Sequence, residues 1–208
     1  MTSFYDRHIM PRLIGCACAS NPIMRQRAKV VPLAAGRVLE LGIGGGLNLA
    51  FYDPAKVSEV CGVDPSHALR GRAAAAERPE GLKVTIQPGV AEALPFDSGS
   101  FDTVVCTYTL CSVRSPTETL SEAYRALKPG GRFLFCEHGL APDAGVARWQ
   151  RRIEPVWRKI AGNCHLTRAV GPTITAGGFA IEHLDTMYVP NTPKIAGWQE
   201  WGAAVKGA

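Results

Sequence analysis

A run of glycines directly after a short apolar segment constrains the fold of this chain more than any other feature. Residues 38–46 read Val-Leu-Glu-Leu-Gly-Ile-Gly-Gly-Gly, so a strand-like stretch leads straight into a turn. Glycines there adopt positive φ and let a ligand approach the backbone closely. Leu47 and Asn48 follow, not the Lys-Ser/Thr of a P-loop, and the sixth position from Gly42 is not the glycine of a dinucleotide fingerprint. The turn therefore predicts a ligand site of another kind, with a helix opening after it.

Strand-like and helix-like segments alternate through the middle of the chain. Strand-like runs stand at residues 37–41, 59–63, 82–87, 101–108 and 131–136. Helix-compatible pieces stand at residues 47–52, 67–77 and 116–127. Such alternation indicates right-handed crossovers and a parallel sheet, and near-continuous apolar runs indicate strands buried on both faces. The sequence predicts a doubly wound α/β domain with an N-terminal helical extension.

The pattern changes beyond residue 136. A segment rich in Arg and Trp, residues 149–160, favours a helix, and two glycines then interrupt the chain before residues 179–184. The last apolar piece, residues 201–205, is expected to pair antiparallel with residues 179–184 at the sheet edge.

Two carboxylates narrow the identity of the ligand. Glu40 precedes the glycines, and Asp64 ends the second strand about 20 residues later, where an acid accepts hydrogen bonds from both ribose hydroxyls. A carboxylate at Glu40 would repel a pyrophosphate but suits a cationic or hydrogen-bond-donating group. The ligand with a ribose, no phosphate and a positively charged amino acid tail is S-adenosylmethionine.

These motifs resemble those of the class I S-adenosylmethionine-dependent methyltransferases. Residues 38–46 are similar to the first motif, 61–64 to the second-strand acid, 89–96 to the segment along adenine, 102–105 to the fourth strand and 127–132 to the turn before the fifth. A narrower resemblance, to the methyltransferase-like thiol S-methyltransferases, is found at residues 48–52, 110–113, 136–138, 149–151, 155–157 and 164–168. The resemblance implies a Rossmann-like, mostly parallel seven-stranded sheet and S-adenosyl-L-methionine as cofactor.

The resemblance also assigns roles to residues and regions. Glu40 and the backbone of Gly42 and Gly44 are expected to hold the methionine end and Asp64 the ribose. Further cofactor-binding residues are expected at Tyr5, Asn48, Pro65, Ala91, Glu92 and Thr107, with Ala91 and Glu92 at the adenine. The chain is predicted to be a single domain: residues 1–37 a helical cap, 38–137 the cofactor-binding core, 138–178 a lid and acceptor region, and 179–208 edge strands.

Methyl transfer to a thiol needs a base, because the thiolate is the reactive form. Substrates of this fold bind at the C-terminal ends of the strands, which points to Tyr108 and Cys111 after the fourth strand and His138 after the fifth. His138 is the predicted base, since an imidazole titrates near neutral pH, and His165 is second. A turn-capping role for His138 stays open. Cys16 and Cys18 lack CxxC spacing, so no metal site is predicted.

Charge and cysteine content bear on partners and compartment. The net charge is +5, and Arg and Lys concentrate in residues 1–37 and 146–168. A solvated face and weak contact with a membrane surface are both open for these segments, whereas the lack of a coherent basic stripe argues against nucleic acid. Seven cysteines, an odd number mostly in apolar runs, and no secretory signal favour a cytoplasmic location.

The predicted function is S-adenosylmethionine-dependent methyl transfer to a small, apolar acceptor. A thiol is the preferred acceptor. The alternatives are N- or O-methylation of a phospholipid amine, a quinol precursor or a natural product, and a non-catalytic binding protein that keeps the cofactor fold. The sequence leaves the oligomeric state open.

Overall fold

Residues 18–207 are described by the structure, a computed structural model, and they form a seven-stranded sheet with helices on both faces. The strands are β1 (Gly36–Leu41), β2 (Val57–Asp64), β3 (Val84–Pro88), β4 (Phe101–Thr107), β5 (Leu127–His138), β6 (Ala180–Tyr188) and β7 (Trp198–Val205). The helices are α1 (Asn21–Val30), α2 (His67–Ala75), α3 (Pro116–Ala126), α4 (Ala144–Ile160), α5 (Val170–Ala176) and α6 (Lys194–Gly197).

The strand order is β3-β2-β1-β4-β5-β7-β6. Strands β1 to β5 pair in parallel, whereas β7 runs antiparallel to both β5 and β6. The order reverses between β1 and β4, which is the switch point where ligands bind in open α/β sheets. The predicted doubly wound, mostly parallel seven-stranded fold is confirmed.

The central strands bury side chains on both faces of the sheet. In β4, Val104 and Cys106 belong to one apolar cluster and Val105 to the other, and neighbours along β5 alternate in the same way. Helix α3 covers the first face through Leu120, and α1 covers the second through Val30. Two-sided burial explains why these strands have continuous apolar sequences instead of alternating ones.

The helix predicted at residues 47–52 is wrong. A single 3₁₀ turn, Leu49–Phe51, is all the helix that forms between β1 and β2. The glycines at positive φ precede it and Pro54 follows it, and a residue before proline disfavours the α region. The connection also buries the side chain of Asn48, so these residues serve the site and not a helix face.

The two C-terminal strands pair antiparallel at the edge of the sheet, as predicted. Strand β7 lies between β5 and β6, with Gly202 opposite Phe135 on one side and Leu184 on the other, so β6 forms the edge of the sheet. Helix α1 packs against β5 and β7, which places this helix over the C-terminal half of the sheet. No helix within residues 18–207 is long and apolar enough to cross a membrane.

Candidate functional site

A cavity of about 690 Å³ opens at the C-terminal ends of β1, β2 and β4. Most of the predicted cofactor-binding residues line it, together with the predicted catalytic residue Tyr108: Gly42, Gly44, Asp64, Pro65, Ala91, Glu92 and Thr107. The sheet brings these residues together because parallel strands present their C-terminal ends at one edge. Glu40, Asn48, His138 and His165 stand behind or beside this lining, and Tyr5 lies outside the described residues.

The glycine turn and Asp64 form one rigid unit. Gly42 has a φ of 63°, and a Cβ added to it would lie 2.6 Å from Thr109 Oγ1, so no larger residue fits there. Gly44 N donates to Asp64 Oδ2 at 3.0 Å, and Ser66 N donates to Oδ1 at 2.8 Å. Burial raises the pKa of the Asp64 carboxyl, and these two backbone hydrogen bonds oppose the rise. The carboxylate therefore fixes the turns after β1 and β2 at the cavity wall.

Glu40 sits beneath the glycine turn, 2% exposed. Its Oε1 accepts a hydrogen bond from Asn48 Nδ2 at 2.9 Å and its Oε2 one from the Tyr52 hydroxyl at 2.8 Å. Burial raises the pKa of Glu40 to about 7, although both hydrogen bonds and the nearby Arg27 favour the carboxylate. Glu40 thus supports the cavity floor through its neighbours, and direct contact with a ligand stays a prediction.

Arg27 of α1 belongs to the site although its sequence position did not indicate this. Its Nη1 donates to Asn48 Oδ1 at 2.9 Å and to Thr107 Oγ1 at 2.6 Å, and its guanidinium lies 4.7 Å from the centroid of the Tyr108 ring. Only 5% of Arg27 is exposed, and the residue lines the cavity. Its burial next to polar groups from β1 and β4 ties the N-terminal helix to the cavity.

The residues predicted at the adenine take different roles. Ala91 is buried in the lining, whereas Glu92 Oε1 accepts hydrogen bonds from the backbone N of Arg114, at 2.7 Å, and of Ser115, at 3.4 Å. Glu92 therefore also anchors the segment that leads into α3.

Tyr108 lines the cavity in a strained conformation. Its φ is 53°, which is uncommon outside glycine and asparagine and recurs at functional sites. Its hydroxyl donates to Gln199 Oε1 of β7 at 2.7 Å. This hydrogen bond joins Tyr108 to β7, and the predicted catalytic role of Tyr108 stays a prediction.

His138 ends β5 and faces two cysteines. Its Nε2 lies 3.0 Å from Cys164 Sγ, and Cys111 Sγ belongs to the same group of atoms. Cys111 is buried, whereas the other two are partly buried. Neither cysteine was assigned a partner from the sequence, because 53 residues of chain separate them and only the fold closes that distance.

His165 points to a different neighbour. Its Nδ1 lies 2.9 Å from Glu154 Oε1 of α4, and burial lowers the pKa of the imidazole despite that hydrogen bond. The pair joins the loop after α4 to the helix itself. A role for His165 in catalysis stays a prediction.

Comparisons with known proteins define the family. A family model described as a methyltransferase domain matches residues 39–135. Thiol S-methyltransferase TMT1B of Rattus norvegicus is 36% identical over 173 residues, which span 81% of this chain and 70% of the relative. Thiol S-methyltransferase TMT1A of Homo sapiens is 30% identical, with 81% and 70% covered. The chain is a class I S-adenosylmethionine-dependent methyltransferase. The suspected resemblance is thus confirmed.

Shorter matches connect this methyltransferase to enzymes with other acceptors. Demethylmenaquinone methyltransferase of Symbiobacterium thermophilum is 40% identical over 48% of this chain, and phosphatidylethanolamine N-methyltransferase of Cereibacter sphaeroides is 35% identical over 58%. The solved structure of YcgJ from Bacillus subtilis superposes with a TM-score of 0.70 at 20% identity, over 88% of this chain and 99% of that one. That likeness supports the fold of this methyltransferase.

The cavity of the methyltransferase fits S-adenosylmethionine. A carboxylate offers about four lone-pair positions, and the amides of Gly44 and Ser66 use two at Asp64, which leaves two for ribose hydroxyls. The cavity volume, about 690 Å³, also lies within the range of about 300–1,000 Å³ that is usual for ligand pockets.

Proposed function

We propose that the methyltransferase methylates the sulfur of a small, apolar thiol. The observation that carries this proposal is the 36% identity to a thiol S-methyltransferase over 81% of the chain. The sulfur- and imidazole-bearing side chains beside the cavity, Cys111, His138 and Cys164, support it, because they form an environment suited to a thiolate.

We assign the cofactor to the turns at the strand ends. Asp64 would accept hydrogen bonds from the ribose, Ala91 and Glu92 would border the adenine, and Gly42 and Gly44 would present backbone to the methionine end. Arg27, Asn48 and Thr107 would hold that part of the wall in place through their mutual hydrogen bonds. Pro65 completes the lining next to Asp64.

The residues of this chain then have to align the acceptor sulfur with the methyl–sulfonium bond of the cofactor. The cofactor supplies a methyl group on a cationic sulfonium, and a bond from the acceptor sulfur to the methyl carbon forms as the methyl–sulfonium bond breaks. Alignment of this kind supplies much of the rate. Gly162 and Asn163 line the cavity, so the proposed acceptor region at residues 138–178 contributes to its wall.

A second acceptor class has its own support. The matches to a demethylmenaquinone and a phosphatidylethanolamine methyltransferase cover 48% and 58% of this chain. They support transfer to nitrogen or oxygen as the alternative to transfer to sulfur. The alignment to the thiol S-methyltransferase is longer: it covers 81% of this chain and so extends beyond the cofactor-binding core.

A panel of single acceptors tests the proposal. Purified protein would be incubated with S-adenosylmethionine and, separately, an alkyl thiol, an aryl thiol, a primary amine and a phenol, and the formation of S-adenosylhomocysteine would be followed. We expect turnover with a thiol and background rates with the others. Turnover of the amine or phenol without any thiol would reject the proposed acceptor while leaving the family assignment intact.

A further inference from the structure

Three side chains that bind soft metals meet beside the cavity. Cys111 Sγ, His138 Nε2 and Cys164 Sγ all lie within 4.8 Å of one another in the described part of the chain. They come from three separate places: the turn after β4, the end of β5 and the loop after α4. Because the chain brings them together over long sequence separations, the cluster is a product of the tertiary fold and not of a local turn.

The backbone around the cluster is tightly held. The buried carboxylate of Glu137 accepts hydrogen bonds from the N–H groups of Thr109, Leu110 and Cys111 at 2.7, 3.0 and 3.3 Å. His165 N donates to Cys111 O at 2.8 Å, which ties the segment carrying Cys164 to the segment carrying Cys111. Ligands held in this way lose little freedom on binding an ion.

Arg168 reinforces the same junction. Its guanidinium donates to the carbonyl oxygens of Leu110 and Val113, on either side of Cys111. Asn163 Nδ2 contacts Ser112 O at 3.4 Å. Asn163, His165 and Arg168 thus hold the loop after α4 against the turn after β4, and the two thiols lie on facing segments.

We propose that Cys111, His138 and Cys164 bind one zinc ion. Two thiolates and an imidazole nitrogen form one of the known sets of three protein ligands in catalytic zinc sites, which keep a fourth position open. Zn–S distances of about 2.3 Å and Zn–N distances of about 2.0–2.1 Å place tetrahedral ligand atoms about 3.5–3.8 Å apart. The three ligand atoms lie within 4.8 Å of one another, and His138 Nε2 lies 3.0 Å from Cys164 Sγ, so their spacing brackets that geometry.

The cluster lies beside the cavity, so the open fourth position of the zinc ion is near a bound acceptor. Ser112 and Asn163, the sequence neighbours of two ligands, line the cavity. The acceptor thiol would bind the zinc ion as its fourth ligand, a step that rests on the proposed function. A thiol that coordinates zinc is deprotonated outright, so its proton leaves to solvent and its sulfur keeps a lone pair for the methyl carbon. His138 would then act as a ligand rather than as a free base.

Cobalt is the probe for the site. Reduced, metal-free protein would be titrated with Co²⁺, whose thiolate charge-transfer absorption reports sulfur ligands, and zinc content would be measured separately by mass spectrometry. We expect one equivalent of Co²⁺ to bind, with a thiolate band that Zn²⁺ abolishes by displacement. The absence of a thiolate band at one equivalent would overturn the proposal.

Matched variants locate the ligands. Cys111→Ser, Cys164→Ser and His138→Asn are each expected to lower the affinity for Co²⁺ by more than the about 10–100-fold that loss of an outer-shell partner costs. Cys61→Ser, which replaces a buried cysteine of β2, is the control and should bind as the wild type does. Circular dichroism establishes folding, and the partly exposed Cys164 gives a variant that tolerates polar replacement if Cys111→Ser does not fold. Equal affinity in Cys164→Ser and wild type would overturn the assignment.

Addition of an alkyl thiol to the cobalt protein separates this inference from the proposed function. A stronger thiolate band on addition supports the acceptor as fourth ligand. A cobalt site of two thiolates in a protein that methylates no thiol would remove the proposed acceptor but leave the metal site. Thiol methylation at an unchanged rate by protein shown to hold no metal would remove the proposed role of the ion.

Discussion

The two carboxylate oxygens of Asp64 accept hydrogen bonds from the protein backbone and are also the proposed acceptors for the ribose hydroxyls. Each already accepts one backbone N–H, and hydrogen bonds to a charged group contribute about 1.5–3 kcal/mol. Asp64→Ala is therefore expected to weaken the binding of S-adenosylhomocysteine by about 10- to 100-fold, measured by titration calorimetry.

A carboxylate elsewhere on the same strand provides the control. Glu59 of β2 pairs with Arg37 and Thr85 at the partly exposed end of the strand, so Glu59→Gln should leave the affinity unchanged. Equal affinities for Asp64→Ala and the wild type would contradict the assignment of the ribose site.

Glu40 should make stability depend on pH. Burial disfavours the charge and raises the pKa of Glu40 in the folded protein from the ordinary value of 4.5 to about 7. As pH rises from about 4.5 to about 7, the unfolded chain releases this proton while the folded protein retains it, so the free energy of unfolding falls, on the order of 1–3 kcal/mol in all.

Glu40→Gln removes that titration. We expect urea unfolding of the wild type to show the decline across this pH window and the variant to show a shallower one, since the amide keeps polar contacts with Asn48 and Tyr52 without ionising. Parallel pH profiles for the two proteins would show that Glu40 titrates alike in both states.

The insertion of β7 between β5 and β6 depends on a single glycine. A Cβ at Gly202 would lie 1.9 Å from the carbonyl oxygen of His183 in the neighbouring strand. Gly202→Ala must therefore separate β6 from β7, and we expect a loss of about 2–4 kcal/mol in the free energy of unfolding. Gly145→Ala in α4, where a Cβ meets nothing within 4 Å, should stabilise by up to about 1 kcal/mol. A Gly202→Ala protein as stable as the wild type would refute this account of the strand pairing.

Elements with a strong local signal were predictable from the sequence. Strands β1, β2 and β4 are apolar runs, and α3 begins after Ser115, whose Oγ accepts from Glu118 N as an N-cap does. The prediction of a helix after the glycine turn was wrong because its residues make long-range contacts. Asn48 turns inward to Arg27, Glu40 and Thr107, and no local pattern records that choice.

At the scale of the whole molecule, the sequence predicted the cavity residues at the C-terminal ends of the strands better than those that come from α1 and from the loop after α4. Gly42, Asp64 and Ala91 follow directly from strand ends, and all three line the cavity. Arg27 and Cys164 were missed, because α1 and the loop after α4 reach the cavity only when the sheet is complete. Residues from distant segments have no shared periodicity, so their meeting is a tertiary property.

The surface charge has a matching explanation. The basic residues between positions 146 and 168 lie mostly on α4, where Arg148, Arg151, Arg152 and Lys159 are exposed. Trp149 and Val156 are also exposed, at 59% and 64%. The charge therefore belongs to the outer surface of α4 and not to the cavity lining, and contact with a membrane surface stays a prediction.

The central claim is transfer of a methyl group to sulfur, and one competition experiment tests it directly. The protein would receive S-adenosylmethionine with a ¹³C-labelled methyl group and equal concentrations of an alkyl thiol, a primary amine and a phenol. Carbon NMR distinguishes S-, N- and O-methyl products by chemical shift in the same tube. We predict that the label appears as an S-methyl thioether, at a rate that Asp64→Ala lowers and Glu59→Gln does not. Label found on nitrogen or oxygen, with none on sulfur, would contradict the account.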